Sequence, residues 1–369
     1  MKDSTSPDDP LLRLTLPAGS EQTDLILGRG ALDQAAALLA EYRAVRLLIV
    51  SDEHVAPLYA APLRDRLTAA GYRAHLLTIA AGEQAKSLAT LSELYAACQA
   101  LHVERADLVV ALGGGVVGDV AGMLAGTYLR GLRLVQIPTT LVAQVTASVG
   151  GKVGVNFGGE KNVIGMFKQP QQILIDPDAL ATLPPVELRS GLGELITVGV
   201  LGAPDLFESL EADGAQPLDA QIAAAIRCKS AIVAADPFDQ HDIRARLNLG
   251  HTFGHALEQL SNFSMPHGLA VAVGLHLASR LAAALGLCPV ALAERVERAL
   301  RALDLPTAVR GYQPEQVIAA MRGDKKRSGG RLRWVLPVAL GEVVLVGEDE
   351  VPAALLRDVI APYVWQEGA

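Results

Sequence analysis

Three of the chain's eight histidines fall within seventeen residues: His251 and His255 in Asn248-Leu-Gly-His-Thr-Phe-Gly-His255, and His267 in Pro266-His267-Gly268. The pattern predicts a helix over 252–259. Four residues is about one helical turn, so the His251 and His255 imidazoles project from one face and can offer two nitrogens to one metal ion. His267 follows a breaker-rich segment, 261–266, and is close enough to fold back. Glu194 is the natural further ligand. It sits in Ser190-Gly-Leu-Gly-Glu-Leu-Ile196, an otherwise apolar helical run where an unpaired carboxylate would be costly. Two imidazoles, one carboxylate and an open position make a catalytic rather than a structural zinc site. Spacing alone leaves open which two histidines bind. The alternative is a capping histidine and two surface ones.

A second stretch suits phosphate. Gly113-Gly-Gly-Val-Val-Gly118-Asp119 lies between a predicted strand, 107–112, and a predicted helix, 120–128. Glycines let the backbone approach a pyrophosphate, and a helix start supplies amide donors and the positive end of its dipole. The stretch fits G-x-G-x-x-G, but the acid expected about twenty positions on is missing, and Pro138-Thr139-Thr140 stands there instead. Candidate ribose-binding acids, Asp52 and Glu83, lie at the ends of earlier strands. A nucleotide site of non-standard layout is expected, with a tight turn packed on the sheet as the alternative. Gln144 to Asn156 and Gly158 to Asn162 add Lys152 and Lys161 among glycines, a cradle for an anion.

These residues need elements to position them. Strands are expected at 12–16, 23–27, 45–50, 74–79, 107–112, 133–137 and 172–175, and helices at 31–42, 55–70, 88–101 and 120–128. That alternation implies a parallel sheet covered on both faces, with ligands at the strands' carboxyl ends. Beyond Leu183-Pro184-Pro185 long amphipathic segments take over, at 219–235, 269–285, 289–303 and 314–321, with strands only at 332–338 and 343–345. The expectation is an α/β nucleotide-binding domain over 1–184, its first ten residues a frayed tail, and a mainly helical metal-binding domain over 185–369. Half of the 369 residues are apolar, enough for two cores. A net charge of −8 and no dense basic block argue against nucleic acid. Three scattered cysteines suggest a reducing compartment, every apolar run is interrupted by Gly, Arg or Asp, and no signal peptide opens the chain. A cytoplasmic protein that does not enter the membrane is expected.

Together these motifs resemble the 3-dehydroquinate synthases of the sugar-phosphate cyclase superfamily, from about Val45 to Gly341. Gly113–Asp119, 138–162, Asn248 to His255 and Pro266-His267-Gly268 carry the likeness. The resemblance implies an NAD-binding α/β domain and a helical domain binding zinc or cobalt through Glu194, His251 and His267, with His255 left to the substrate. NAD would lie along Ala81, Gly82, Glu83, Gln84, Ala85 and Lys86, then Gly115, Val116, Val117, Gly118 and Asp119, with Thr139 and Thr140. Asp52, Lys152, Lys161, Ala179, Leu180, Ala181 and Thr182 would lie nearby. Substrate contacts would come from Lys152, Asn162, Lys229, Arg244, Asn248, His255 and one of Lys325 and Lys326. Arg130 matches an arginine that such enzymes lend to the neighbouring subunit's phosphate site, which implies a homodimer. The implied reaction converts 3-deoxy-D-arabino-heptulosonate 7-phosphate to 3-dehydroquinate and phosphate, on the shikimate route to aromatic amino acids. The C5 hydroxyl is transiently oxidised, phosphate leaves, the hydride returns, and ring opening with aldol closure follows. NAD is regenerated. The chain departs from the family at Thr146, where members usually have Asp, at Thr197, where they usually have Lys, and at Leu269, often Glu, which reads as packing. The two threonines keep two alternatives in view, a related cyclase with another substrate and a non-catalytic homologue.

Overall fold

Apolar runs ending at Asp52, Gly113 and Pro138 lie side by side in one sheet. The computed structural model describes residues 1–5, 11–212, 217–323 and 332–365. The chain divides into two units, Met1–Leu183 and Pro184–Ala369.

In chain order the first unit holds β1 (Lys2–Asp3), β2 (Leu12–Ala18), β3 (Glu21–Leu27), α1 (Ala35–Ala40), β4 (Arg46–Asp52), α2 (Ala61–Ala69) and β5 (Arg73–Ile79). There follow α3 (Leu88–Ala100), β6 (Leu108–Gly113), α4 (Gly115–Thr127), β7 (Arg133–Pro138), β8 (Lys152–Phe157), β9 (Glu160–Phe167) and β10 (Gln172–Ile175). The main sheet has the order β1-β2-β3-β10-β7-β6-β4-β5. From β3 to β5 all neighbours run parallel, and β1 and β2 add an antiparallel edge. The central strands are buried on both faces, and alternation sorts their side chains. Leu47, Ile49, Leu108 and Val110 pack with Leu63 and Leu67 of α2. Leu48, Val50, Val109 and Ala111 pack with Leu91 of α3 and Val120 and Leu124 of α4. From β4 the chain moves outward to β5, then returns to the other side of β4 as β6. That reversal opens a crevice at the carboxyl ends of β4 and β6, where ligands of open parallel sheets bind.

Some expectations are corrected here. Lys2 and Asp3, assigned to a frayed tail, pair with Thr15 and Leu14 as an edge strand. Residues 31–34 are turns, so the first helix is shorter than expected. Helix α4 begins at Gly115 rather than 120, because the first-turn amides need no partner within the helix and an extended Gly114 caps it. The glycine-rich segment after residue 151, where no strand was expected, holds two. β8 and β9 form a hairpin turning at Gly158 (φ 62°) and Gly159 (φ 83°), the left-handed pair that a type I′ turn requires. The hairpin packs tightly on α4, where a Cβ on Gly122 would stand 2.3 Å from Val153 Cγ1 and one on Gly126 2.3 Å from Met166 Sδ.

The second unit runs α5 (Pro185–Gly202), α6 (Pro204–Glu211), α7 (Leu218–Ala235), α8 (His251–Leu260), α9 (His267–Ala284), α10 (Val290–Ala302), β11 (Val309–Arg310) and α11 (Pro314–Gly323). It ends with β12 (Arg333–Ala339), β13 (Glu342–Gly347), α12 (Ala353–Ile360) and β14 (Val364–Trp365). β12 pairs antiparallel with β13, and β11 parallel with β14. Helix α9 is the core of the unit, buried from Ala270 to Ser279. The expectation that every apolar run is too interrupted to span a bilayer is corrected by α9, which is long and apolar enough but 72% buried.

Candidate functional site

In the second unit the positions of three acid–base side chains follow from glycines beside them. Gly193 precedes Glu194 on α5, and Gly268 follows His267 on α9. A Cβ on Gly193 would stand 2.1 Å from Gly268 O, and one on Gly268 1.8 Å from Ser190 O, so the helices touch backbone to backbone. Ser190 Oγ accepts from the Gly268 amide at 2.9 Å. Gly250 precedes His251 with φ +76°, and a Cβ on Gly274 of α9 would stand 2.0 Å from Gly250 O. Side chains on neighbouring residues are thereby forced together. Glu194 Oε1 lies 3.1 Å from His267 Nε2 and 3.6 Å from His251 Nε2.

Each histidine is oriented from behind. His251 Nδ1 lies 3.0 Å from the Leu249 carbonyl and His267 Nδ1 lies 3.0 Å from Glu258 Oε2, and since both partners only accept, both Nδ1 atoms donate. A ring held so presents its Nε2 lone pair toward Glu194 once it is neutral. Glu194 Oε1 is buried and receives no aligned hydrogen bond. Lone pairs converging on a buried point suit a cation. A tetrahedral zinc site has donor–donor edges of about 3.3 Å, and the two separations to Glu194 Oε1 match. Of the options left open by spacing, His251 and His267 are the pair that meets Glu194, within 4.8 Å of one another. His255, Glu258 and His267 form an adjacent group at similar range. Burial would raise the Glu194 carboxyl, but His267, His251 and Lys229 outweigh it and bring it to about 2. Burial pushes His251 down to about 4. For His267 burial is overcome by the Glu194 and Glu258 carboxylates, and its pKa rises to about 10. Glu258 was missed in the sequence, although it completes the i, i+4, i+7 row begun by His251 and His255.

The other expected residues of this unit are placed less closely. Lys229 on α7 is near enough for its charge to act on Glu194. Arg244 is buried, with Nη1 donating to Pro237 O at 3.0 Å, and begins a short turn, Arg244–Asn248, that ends at the exposed Asn248. Thr197 is buried, and its hydroxyl donates to Gly193 O at 2.8 Å. Lys325 and Lys326 lie outside the described residues.

In the first unit, residues expected around a nucleotide gather at the β4–β6 crevice and along β8–β9. Gly113, Gly114 and Gly115 join β6 to α4, and the Thr139 amide donates to Gly113 O at 3.0 Å. The hydroxyls of Ser51, at the end of β4, and of Thr139 are buried without a hydrogen-bond partner. Two orphaned donors beside a bare helix start suit a phosphate-bearing ligand. Asp52 Oδ1 accepts from the His54 and Val55 amides at 2.9 and 3.0 Å, closing the turn after β4. Tyr59 ties that turn to Ala179–Thr182 through Ala179 O at 3.1 Å and Thr182 Oγ1 at 2.8 Å. Lys86 is buried and its ammonium pairs with Asp119. Asn156 donates to Glu83 Oε1 at 2.8 Å and accepts from the Asn162 amide at 2.9 Å, while Lys161 lies 3.9 Å from Glu83. The hairpin is thus bound to the Ala81–Lys86 segment. Lys152 is exposed at the start of β8. Thr140 caps Ala143 at 3.2 Å, and Thr146 donates to Val142 O at 2.8 Å. Arg130 stands apart, on an exposed turn past the far end of α4, about 20 Å along the helix from Gly115.

Comparison with known proteins accords with both halves. Residues 76–190 match the family described as 3-dehydroquinate synthase N-terminal, and 191–327 the one described as 3-dehydroquinate synthase C-terminal. The chain is 43% identical to a 3-dehydroquinate synthase of Caulobacter vibrioides, over 92% of this chain and 96% of that protein. It is 41% identical to one of Symbiobacterium thermophilum, over 91% and 97%. Among solved structures, the 2-epi-5-epi-valiolone synthase ValA from Streptomyces hygroscopicus subsp. jinggangensis 5008, with NAD+ and Zn2+ bound, is 31% identical with a TM-score of 0.83, covering 93% of this chain and 98% of that one. A 2-deoxy-scyllo-inosose synthase with carbaglucose-6-phosphate, NAD+ and Co2+ shares the fold at a TM-score of 0.85 and 24% identity, over 95% of this chain and 100% of that one. With matches that run through the glycine-rich helix start of one unit and the Glu194–His251–His267 cluster of the other, the chain belongs to the 3-dehydroquinate synthase family.

Proposed function

We propose that this chain is a lyase that converts 3-deoxy-D-arabino-heptulosonate 7-phosphate to 3-dehydroquinate and phosphate, using NAD and a divalent metal, zinc or cobalt in its place. The meeting of Glu194, His251 and His267 carries the reading, in a chain 43% identical to a 3-dehydroquinate synthase. When bound, the metal polarises the substrate oxygen undergoing oxidation and NAD takes and returns the hydride. The chain's residues hold and orient. Glu194, His251 and His267 are the metal ligands. The start of α4 at Gly115–Asp119, with Asp52, the Ala81–Lys86 segment, Thr139, Thr140, Lys152, Lys161 and Ala179–Thr182, holds NAD. Lys229 and Arg244 take the substrate carboxylate, with Lys152, Asn162, Asn248, His255 and one of Lys325 and Lys326 on its hydroxyls and phosphate. Arg130, far along α4 from the rest, serves a neighbouring copy, so the working form is a cytoplasmic homodimer.

The test is phosphate release from purified protein supplied with NAD, zinc and the heptulosonate. Release without accumulation of NADH is expected, together with its loss in His251→Ala and His267→Ala. Release from sedoheptulose 7-phosphate, which has no carboxylate for Lys229 and Arg244, and none from the heptulosonate would overturn the reading in favour of a related cyclase.

A further inference from the structure

Glu258 does more than fill space on α8. Its side chain is 3% exposed, and Oε2 accepts a hydrogen bond from His267 Nδ1 at 3.0 Å. His251 Nδ1 donates its hydrogen bond to a neutral main-chain carbonyl, Leu249 O. The two imidazoles facing Glu194 are therefore held from behind by acceptors of different charge. His251 and His267 are also the first residues of α8 and α9, so two helix starts bring positive dipole ends to the cluster. Two neutral imidazoles and the Glu194 carboxylate would leave a divalent ion with one uncompensated positive charge beside a buried carboxylate, which is costly.

We propose that Glu258 is a positioning residue for the metal: it fixes His267 as the Nδ1–H tautomer, aims Nε2 at the point faced by Glu194 Oε1, and supplies the second negative charge of the site. The proposal rests on the metal reading above. With Glu258 counted, a divalent ion faces two carboxylates rather than one. A carboxylate behind the ring also makes His267 a stronger donor than a carbonyl would, the usual effect of a partner behind a ligating histidine.

The test separates this role from simple packing. Glu258→Gln keeps the shape and an acceptor for the ring N–H but removes the charge, and Glu258→Ala removes both. Zinc affinity is measured by competition with a chromophoric chelator, and the ring 15N shifts of His267 report its tautomer in the zinc-loaded protein and, in alkaline solution, in the zinc-free one. The expected result is about a tenfold loss of zinc affinity in Glu258→Gln and about a hundredfold loss in Glu258→Ala. In alkaline solution, where the zinc-free ring is neutral, Glu258→Ala should also populate both tautomers. If Glu258→Ala does not fold, Glu258→Gln alone decides. A Glu258→Gln protein that binds zinc as tightly as wild type overturns the proposal while leaving the metal site standing. A wild-type protein that takes up no zinc overturns both.

Discussion

Gly193 and Gly268 leave no room between them for a side chain, since a Cβ on the first would stand 2.1 Å from the carbonyl oxygen of the second. Their neighbours, Glu194 and His267, meet at 3.1 Å because of it. A metal centre built this way depends on residues that never touch the metal. Gly268→Ala places its methyl 1.8 Å from Ser190 O, so α5 and α9 must part. Overpacking of this kind costs about 1–3 kcal/mol or more. The expected outcome is a lower melting temperature and weaker zinc binding in the same variant. An unchanged melting temperature with full zinc uptake would show that the glycine contact is not what sets the ligand spacing.

Metal uptake should release a proton. Without metal, the Glu194 and Glu258 carboxylates overcome the effect of burial and raise His267 from 6.5 to about 10, so the ring is charged at pH 7, while His251, lowered to about 4, is neutral. Zinc needs the His267 Nε2 lone pair, so binding expels about one proton near neutrality. Calorimetry in two buffers of different ionisation enthalpy measures the number, and zero would mean that the His267 ring is already neutral before the metal binds. Zinc affinity should rise about tenfold per pH unit toward pH 10. The sign for the metal-free fold follows from the same shift. Because the folded pKa lies above the unfolded value, the His267 contribution to stability is complete below pH 6.5 and is lost as pH rises through about 10. Glu194, held at about 2, contributes above 4.5 and loses that contribution as pH falls through about 2.

Thr197 stands where related enzymes usually carry lysine, yet its hydroxyl is turned to its own helix, on Gly193 O, with the residue 2% exposed. A hydroxyl bonded to the i−4 carbonyl is satisfied locally and is worth at most about 1 kcal/mol. Thr197→Val should therefore change kcat/KM by less than about threefold. A loss above about tenfold would mean that the hydroxyl leaves Gly193 to meet the substrate.

The chemistry-bearing residues were legible because their types are costly to misplace. A carboxylate in the apolar run around Glu194 must be paired or ligating, and histidines spaced by one turn supply the matching donors. Glu258 was not legible in that way, because a glutamate on an amphipathic helix reads as a solvated face until its burial is known. The β8–β9 hairpin was hidden by its glycines. Gly154 and Gly165 weaken a strand pattern, and their use follows from the close approach of the two strands, where a Cβ on Gly165 would stand 2.6 Å from Val153 O and one on Gly154 3.1 Å from Ile164 O. Glycine likewise hid the first turn of α4, since its low helix propensity argues against a helix where a cap and free amides in fact begin one.

The start of α4 offers a way to separate cofactor binding from folding. A Cβ on Gly113 would stand 2.6 Å from Val117 Cγ2, and one on Gly114 3.0 Å from Thr140 Cγ2, so alanine at either position disturbs the turn itself. At Gly115 the nearest atom to a Cβ is Ala147 Cβ at 3.6 Å, an ordinary contact. Alanine there also favours the helix by up to about 1 kcal/mol over glycine. Gly115→Ala should therefore fold with an unchanged or slightly higher melting temperature. Its methyl nevertheless adds bulk to the first residue of the helix start that a pyrophosphate would approach to reach the first-turn amides. NAD affinity, read by titration calorimetry, should fall about tenfold or more, with zinc binding untouched. Gly113→Ala should instead lose stability and NAD affinity together. Full NAD affinity in Gly115→Ala would place the pyrophosphate elsewhere than at this helix start.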